Sequence, residues 1–290
     1  ADYFEGPFLR DDLAAITLQA LATDKKGGET YLLKSLIDTG AVDATKAKNL
    51  TEKIENYRAL TRATDAVDSV SQDTNSLTQA RGTVQYAGDT MDVSFDSSTR
   101  EKIVLRNGKV QLSSETKITQ NGETTESGTW IKDGWLYLYT KDGGVTAKNK
   151  VAVDDSMTDA DLAEVESNQV DKVGLSAIKS ISVVKDGLTS YYSVDVDASA
   201  AAFLSGILEN YVDEDDKDLT SIEVSDIKVT YTVNGQGVLG AMTTSFRLKI
   251  VYASGEFQGD PMVMDMKYTV ATNILATGNA VSITFPDFSD

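Results

Sequence analysis

Asp195 and Asp197 stand two residues apart and are the nearest the sequence comes to a catalytic pair. On a strand, residues i and i+2 share a face, and two carboxylates so placed can support acid–base or glycosidic chemistry. Asp197, however, immediately precedes an apolar run that starts near Ala198, the position from which an Asp caps a helix. The densest acidic stretch, Asp213 to Asp218, fails as a calcium loop. Lys217 falls where a third ligand is needed and Leu219 follows Asp218, whereas calcium gathers about six to eight oxygens. It reads as a solvated loop. Gly235-Gln236-Gly237 is a hairpin turn, with no helix or Lys-Ser/Thr behind it to cradle a phosphate. Ser176 with Lys179 is a pairing too common to carry a nucleophile by itself. The 290 residues include no Cys and no His, which removes thiolate, disulfide and imidazole chemistry. The expectation is a protein that is not an enzyme and uses no cofactor or metal.

Side chains that hold rather than react are better represented. Trp130, Trp135, Tyr137 and Tyr139 crowd one hairpin, and rigid aromatics supply contact area at low entropic cost. They serve equally as cross-strand core pairs. Met262, Met264 and Met266 recur at every second position. Flexible thioethers suit a surface that adapts to varied apolar ligands, and they also fill irregular cores. Phe203 and Ile207 belong to an amphipathic helical run too apolar to lie in water. These nine residues are the candidate ligand-binding set. The formal net charge of −18 repels phosphate backbones and anionic lipid surfaces. No nucleic acid partner is expected, and no Lys/Arg cluster in the sequence is dense enough to override that charge.

The elements that position these residues fall into two parts. Leu9, Leu13, Ile16, Ala20 and Leu21 mark one helical face, closed by Lys25-Lys26-Gly27-Gly28. Tyr31, Leu33, Leu36 and Ile37 mark a short helix ending at Gly40. Leu50, Ile54, Tyr57 and Leu60 mark a third, from about Thr45 and continuing, more polar, through Ala66 and Val70. From about residue 80 the pattern becomes that of strands. Asn107-Gly108, Asn121-Gly122, Asp133-Gly134, Asp142-Gly143, Asp186-Gly187 and Asn234-Gly235 each signal a tight hairpin. Between them apolar residues alternate: Ile227, Val229, Tyr231 and Val233; Phe246, Leu248, Ile250 and Tyr252; the Met stripe and Tyr268. Helices are expected near 158–170 and 198–211. About eleven strands in one twisted sheet tend to curl. The predicted fold is α+β: a strongly curved antiparallel β-sheet, a half-barrel, with covering helices and an N-terminal helical segment. The expected division is 1–75 for the helical segment and 76–290 for the sheet.

Three stretches carry a family resemblance. The run from Gly128 to Gly144, with its Lys132-Asp133-Gly134 and Lys141-Asp142-Gly143 turns and aromatic openings, resembles a hairpin of the LolA/LppX-like bacterial lipoprotein superfamily. The strand and helix from Ser190 to Tyr211 fit the same order. The closing stretch from Val281 to Asp290, with Pro286-Asp287, resembles the last strand of uncharacterised Gram-positive members. The resemblance covers about residues 60–290, and the three-helix start departs from the single opening helix of simpler members. It implies a helix-covered concave sheet face that can form a cavity for acyl chains, and no catalytic residues.

The resulting expectation is an extracytoplasmic or cell-surface protein that binds a lipid or other apolar ligand between the concave sheet and a helix. A surface protein–protein interaction module without a small-molecule site is the alternative. No stretch approaches the length of apolar residues that spans a membrane. Because the sequence opens at Ala1 without Met, membrane attachment is expected only through a lost N-terminal lipid anchor.

Overall fold

The computed structural model describes residues 10–26, 30–68, 71–106, 109–120, 122–132, 134–152, 173–197, 219–252 and 261–288. The helices expected near 158–170 and 198–211, with Phe203 and Ile207, and the acidic run 213–218 lie outside the described residues.

Three helices open the chain: α1 (Arg10–Ala22), α2 (Leu32–Asp38) and α3 (Ala44–Asp68). Gly40 follows α2 at φ 77°, a left-handed position that glycine adopts without steric cost and that closes a helix. Asp43 then caps α3, its Oδ1 accepting from the backbone N–H of Thr45 and Lys46 at 2.8 and 3.0 Å. Eleven strands follow: β1 (Gln72–Tyr86), β2 (Asp89–Arg106), β3 (Lys109–Gln120), β4 (Glu123–Lys132), β5 (Trp135–Asp142), β6 (Val145–Ala152), β7 (Ile178–Asp186), β8 (Thr189–Val196), β9 (Leu219–Val233), β10 (Leu239–Tyr252) and β11 (Met262–Thr277). They form one curved, unclosed antiparallel sheet in the order β6-β5-β4-β3-β2-β1-β11-β10-β9-β8-β7. The architecture is the α+β half-barrel that the alternation and turn signals predict.

Helix α3 lies across one face of the β7–β11 half, and we call that face of the sheet the helix side. Leu60, Ala63 and Val67 pack with Val194, Val229, Tyr231, Leu248 and Ile250 in the main core. The earlier part of α3 belongs to a second cluster, where Ile54 meets Ala22, Tyr31, Leu33 and Leu175. Arg58 ties the helices together: it donates to the Ala22 carbonyl, pairs with Asp24 at 2.6 Å and sits over the Tyr31 ring. Burial, reinforced by a hydrogen bond to Glu55, pushes the Tyr31 hydroxyl up to about 12.

Strand β9 holds two apolar runs that are out of phase, Ile222 with Val224 and Ile227 with Val229, Tyr231 and Val233. A bulge at Asp226, whose φ is 55°, shifts the β9–β10 register between Ser245 and Arg247. The extra residue turns both runs toward the helix side.

Candidate functional site

Side chains directly opposite in an antiparallel pair share a face, so the register assigns every strand residue to the helix side or to the opposite, open side. Ala80 pairs with Tyr268 and with Phe95, and Tyr268 with Phe246. All lie on the helix side, where the Phe246 and Tyr268 rings stack at 5.0 Å. Met262, Met264 and Met266 share this side. Met266 is buried and lies across Gly82, its register partner. A Cβ at Gly82 would meet the Met266 sulfur at 2.8 Å.

Trp130, Trp135, Tyr137 and Tyr139 face the other way. Trp130 pairs with Tyr137 and with Ser113, and Ser113 with Lys102, whose partner Asp73 belongs to the open side. The structure therefore separates the candidate ligand-binding residues: three methionines on one face, four aromatics on the other, and Phe203 and Ile207 outside the described residues. They do not converge on one cavity.

On the helix side, the space between α3 and the sheet is a cavity of about 10 Å³ lined by residues including Tyr57, Leu60, Val194 and Tyr231. That is room for about one water. The core under α3 is closed to a ligand.

Beyond α3 the helix side continues in a way the sequence did not single out. Ile103 on β2 pairs with Leu112 on β3, Leu112 with Ile131 on β4, Ile131 with Leu136 on β5, and Leu136 with Val151 on β6. The five make an unbroken apolar row perpendicular to the strands. It is buried at one end, with Ile103 3% exposed, and open at the other, with Val151 43% exposed. At a strand spacing of about 4.8 Å, the row is about 19 Å long.

On the open side the aromatics meet the chain's own C-terminal segment. Phe288 packs against Trp130 and Tyr137, with ring centroids 5.9 and 5.2 Å apart. Lys132 sits over Phe285 at 4.7 Å and Lys148 over Phe288 at 5.8 Å. Lys150 covers Trp135 at 4.2 Å and Tyr137 at 5.3 Å. A hollow of about 260 Å³ remains among Lys132, Tyr137, Lys150, Phe285, Pro286 and Phe288.

No family model matches the chain, and no curated protein matches it. Among solved structures it is similar to a DUF1329 family protein from Desulfovibrio piger, at 12% identity over 79% of this chain and 94% of that one, with a TM-score of 0.23. The ywiB protein from Bacillus subtilis is 10% identical over 72% of this chain and 97% of its own, with a TM-score of 0.18. A domain described as an outer membrane lipoprotein-sorting protein, from Vibrio parahaemolyticus, is 6% identical over 72% and 87%, with a TM-score of 0.15. With TM-scores this low, none of the three bears on what the chain binds.

The carboxylates weighed as catalytic are engaged elsewhere. Asp195 accepts from the Ser180 hydroxyl at 2.6 Å, and Asp197 lies 3.7 Å from Lys179. On the open side, hydrogen bonds from Arg81 hold Asp96 below the usual carboxylate range, and Arg247 does the same to Asp265. On the helix side, burial pushes Glu101 up. It pairs across strands with Thr74 and Ser114, one step along from the apolar row. No helix among the described residues is long and apolar enough to cross a membrane.

Proposed function

We propose that the chain is an extracytoplasmic, non-enzymatic binding protein of the LolA/LppX-like kind that holds a lipid or other apolar ligand against the helix side of its sheet. The observation that supports this reading is the row Ile103–Leu112–Ile131–Leu136–Val151, which carries the core's apolar surface past α3 and toward the β6 edge. Its length is close to that of an extended long-chain acyl group. Each methylene taken from water onto it contributes about 0.8 kcal/mol, so an acyl chain laid along the row gains affinity without a polar anchor. A space of only about 10 Å³ under α3 supports a ligand position on the β2–β6 half.

Native mass spectrometry of the full chain after delipidation, with palmitate and lysophosphatidylethanolamine as probes, tests this. One bound probe per chain is expected, lost in Leu136→Asp. Absence of binding by either probe at tens of micromolar would end the proposal.

The protein–protein reading keeps one specific observation in its favour. Leu13 and Ile16 are both exposed on α1, three residues apart on one helical face. A partner docked there predicts that Leu13→Glu with Ile16→Glu abolishes its binding and leaves acyl binding intact.

A further inference from the structure

The segment from Ser282 to Phe288 crosses the open side of the sheet without joining a strand ladder. Lys102 on β2 donates to the Ser282 carbonyl at 3.2 Å, and Lys148 on β6 donates to the Asp287 carbonyl at 3.3 Å. Lys132 on β4 lies over Phe285 between these points. The segment is held by lysines reaching its carbonyls and rings, and by two aromatic side chains three residues apart. Pro286 keeps Phe285 in extended backbone, so those rings are presented at fixed spacing.

The receiving surface is unusual for this molecule. In a chain of net charge −18, Lys150 covers Trp135 and Tyr137. Lys132 covers Phe285, and Lys148 covers Phe288, which packs on Trp130 and Tyr137. Scattered along the sequence, the three lysines are brought together by the β4–β5–β6 register. The bound segment does not satisfy the surface fully. The hollow of about 260 Å³ stays open beneath it. Trp130 is 6% exposed, and its indole N–H has no acceptor among the described residues. Buried donors without partners are rare enough to call for an explanation, and this one belongs to the ring against which Phe288 packs.

We infer that the lysine-rimmed aromatic cradle on β4–β6 is a recognition site for an extended acidic peptide with two aromatic residues three positions apart, and that residues 285–288 occupy it in cis. The chemistry of the seated segment, Phe-Pro-Asp-Phe, identifies the class of partner: a protein segment with aromatic anchors and an acid between them. Cis occupancy lowers the apparent affinity for that partner by the fraction of time the cradle is closed.

The test uses the full chain, a fluorescein-labelled peptide with the sequence of residues 281–288, and a scrambled control. Phe285→Ala with Phe288→Ala empties the cradle and leaves its walls intact. This variant should bind the peptide at least about tenfold more tightly than the unsubstituted chain. Tryptophan emission should change on binding, because Trp130 and Trp135 line the site. Adding Lys148→Glu and Lys150→Glu should abolish binding. Equal affinity for the scrambled peptide, equal affinity of variant and unsubstituted chain, or no binding by a folded variant would each overturn the inference. Concentration-dependent dimerisation of the unsubstituted chain would overturn the choice of partner, since a second copy would then be the occupant. Should the double variant not fold, Lys148→Glu alone is read by acrylamide quenching; it removes the contacts to the Asp287 carbonyl and the Phe288 ring and leaves Lys150 over Trp135. Increased quenching is expected as the segment is released, and unchanged quenching overturns the inference.

Discussion

The indole of Trp130 lies over Gly128, two residues earlier on the same face of β4. A Cβ at position 128 would come within 2.2 Å of the ring. The pair helps explain how a large aromatic is almost fully buried on this face beneath Phe288: the glycine leaves the floor on which the ring rests. Gly128→Ala should push the indole away, at a cost of about 1–3 kcal/mol. Urea unfolding measures the loss, and a changed near-UV tryptophan band shows that the ring has moved.

Gly82 presents a harder version of the same problem at the β1–β11 seam, where the two halves of the sheet join. There a Cβ would lie 2.0 Å from the Asp265 carbonyl oxygen and 2.8 Å from the Met266 Cα. A methionine sulfur can swing aside, but a ladder carbonyl cannot without breaking its pairing. Gly82→Ala should therefore destabilise more than Gly128→Ala, by about 3 kcal/mol or more. Trimming the neighbour with Met266→Ala should not rescue it. Recovery of stability in that double variant would place the obstruction in the side chain rather than the backbone.

Most strands and the three described helices were legible because their signals are local. The closing stretch from Val281, read as a last strand, joins no ladder, and the helices expected near 158–170 and 198–211 lie outside the described residues. Period-two alternation runs through Trp135 to Tyr139 and Phe246 to Tyr252, and Gly40 ends α2 as its sequence position suggests. The Ala87-Gly88 turn between β1 and β2 was not legible, because an alanine at φ 52° carries no compositional signal. The candidate site was legible only within single strands. Alternation shows that Tyr137 and Tyr139 share a face, and likewise Met264 and Met266. It offers no common reference between β5 and β11, whose relative faces depend on the register of every strand between them. The apolar row was hidden for the same reason: its five residues come from five strands, each unremarkable alone. The lysine cradle likewise exists only once β4, β5, β6 and the C-terminal segment are assembled.

Acid should reveal two opposed groups of carboxylates. Asp96 and Asp265 have their pKa lowered by Arg81 and Arg247. The stability they contribute is present above the ordinary carboxylate range and is lost as pH falls through their depressed values. Glu101 has its pKa raised by burial, so its ionisation opposes folding once pH rises above the unfolded value. Glu101→Gln should raise Tm at pH 7. The gain should shrink to nothing as pH drops below the ordinary carboxylate range. Thermal melts across that range check the sign: a gain that persists in acid would mean that ionisation of Glu101 is not its source.

Among the described residues, Asp73 is the most enclosed partner in the ion pairs that cross strands on the open side, its side chain 10% exposed beside a half-exposed Arg100 at 2.9 Å. Both guanidinium contacts run from β2 to β1, where β1 begins after α3. Asp73→Ala should cost about 1.5–3 kcal/mol, the scale of hydrogen bonds to charged groups. Arg100→Gln should cost less, since a neutral donor can still reach the carboxylate. Urea midpoints for the two variants should therefore fall in that order.

Leu136 and Tyr137 are adjacent in sequence and face opposite sides of β5, which lets two neighbouring substitutions separate the two proposed sites. Leu136→Asp interrupts the apolar row between Ile131 and Val151 and places a charge where an acyl chain would lie, so it should abolish palmitate binding. Tyr137→Ala leaves that row untouched but removes a ring from beneath Phe288 and Lys150. It should weaken peptide binding in the Phe285→Ala, Phe288→Ala background and leave palmitate binding unchanged. Native mass spectrometry for the lipid and fluorescence anisotropy for the peptide give independent readouts on the same four proteins. Loss of both activities in either substitution would show that the faces are not separate, or that β5 itself has lost its place in the sheet. Circular dichroism and urea midpoints on the same samples distinguish those two outcomes. A clean crossover would follow from Leu136 and Tyr137 facing opposite sides of β5, as the antiparallel register of β3 through β6 dictates.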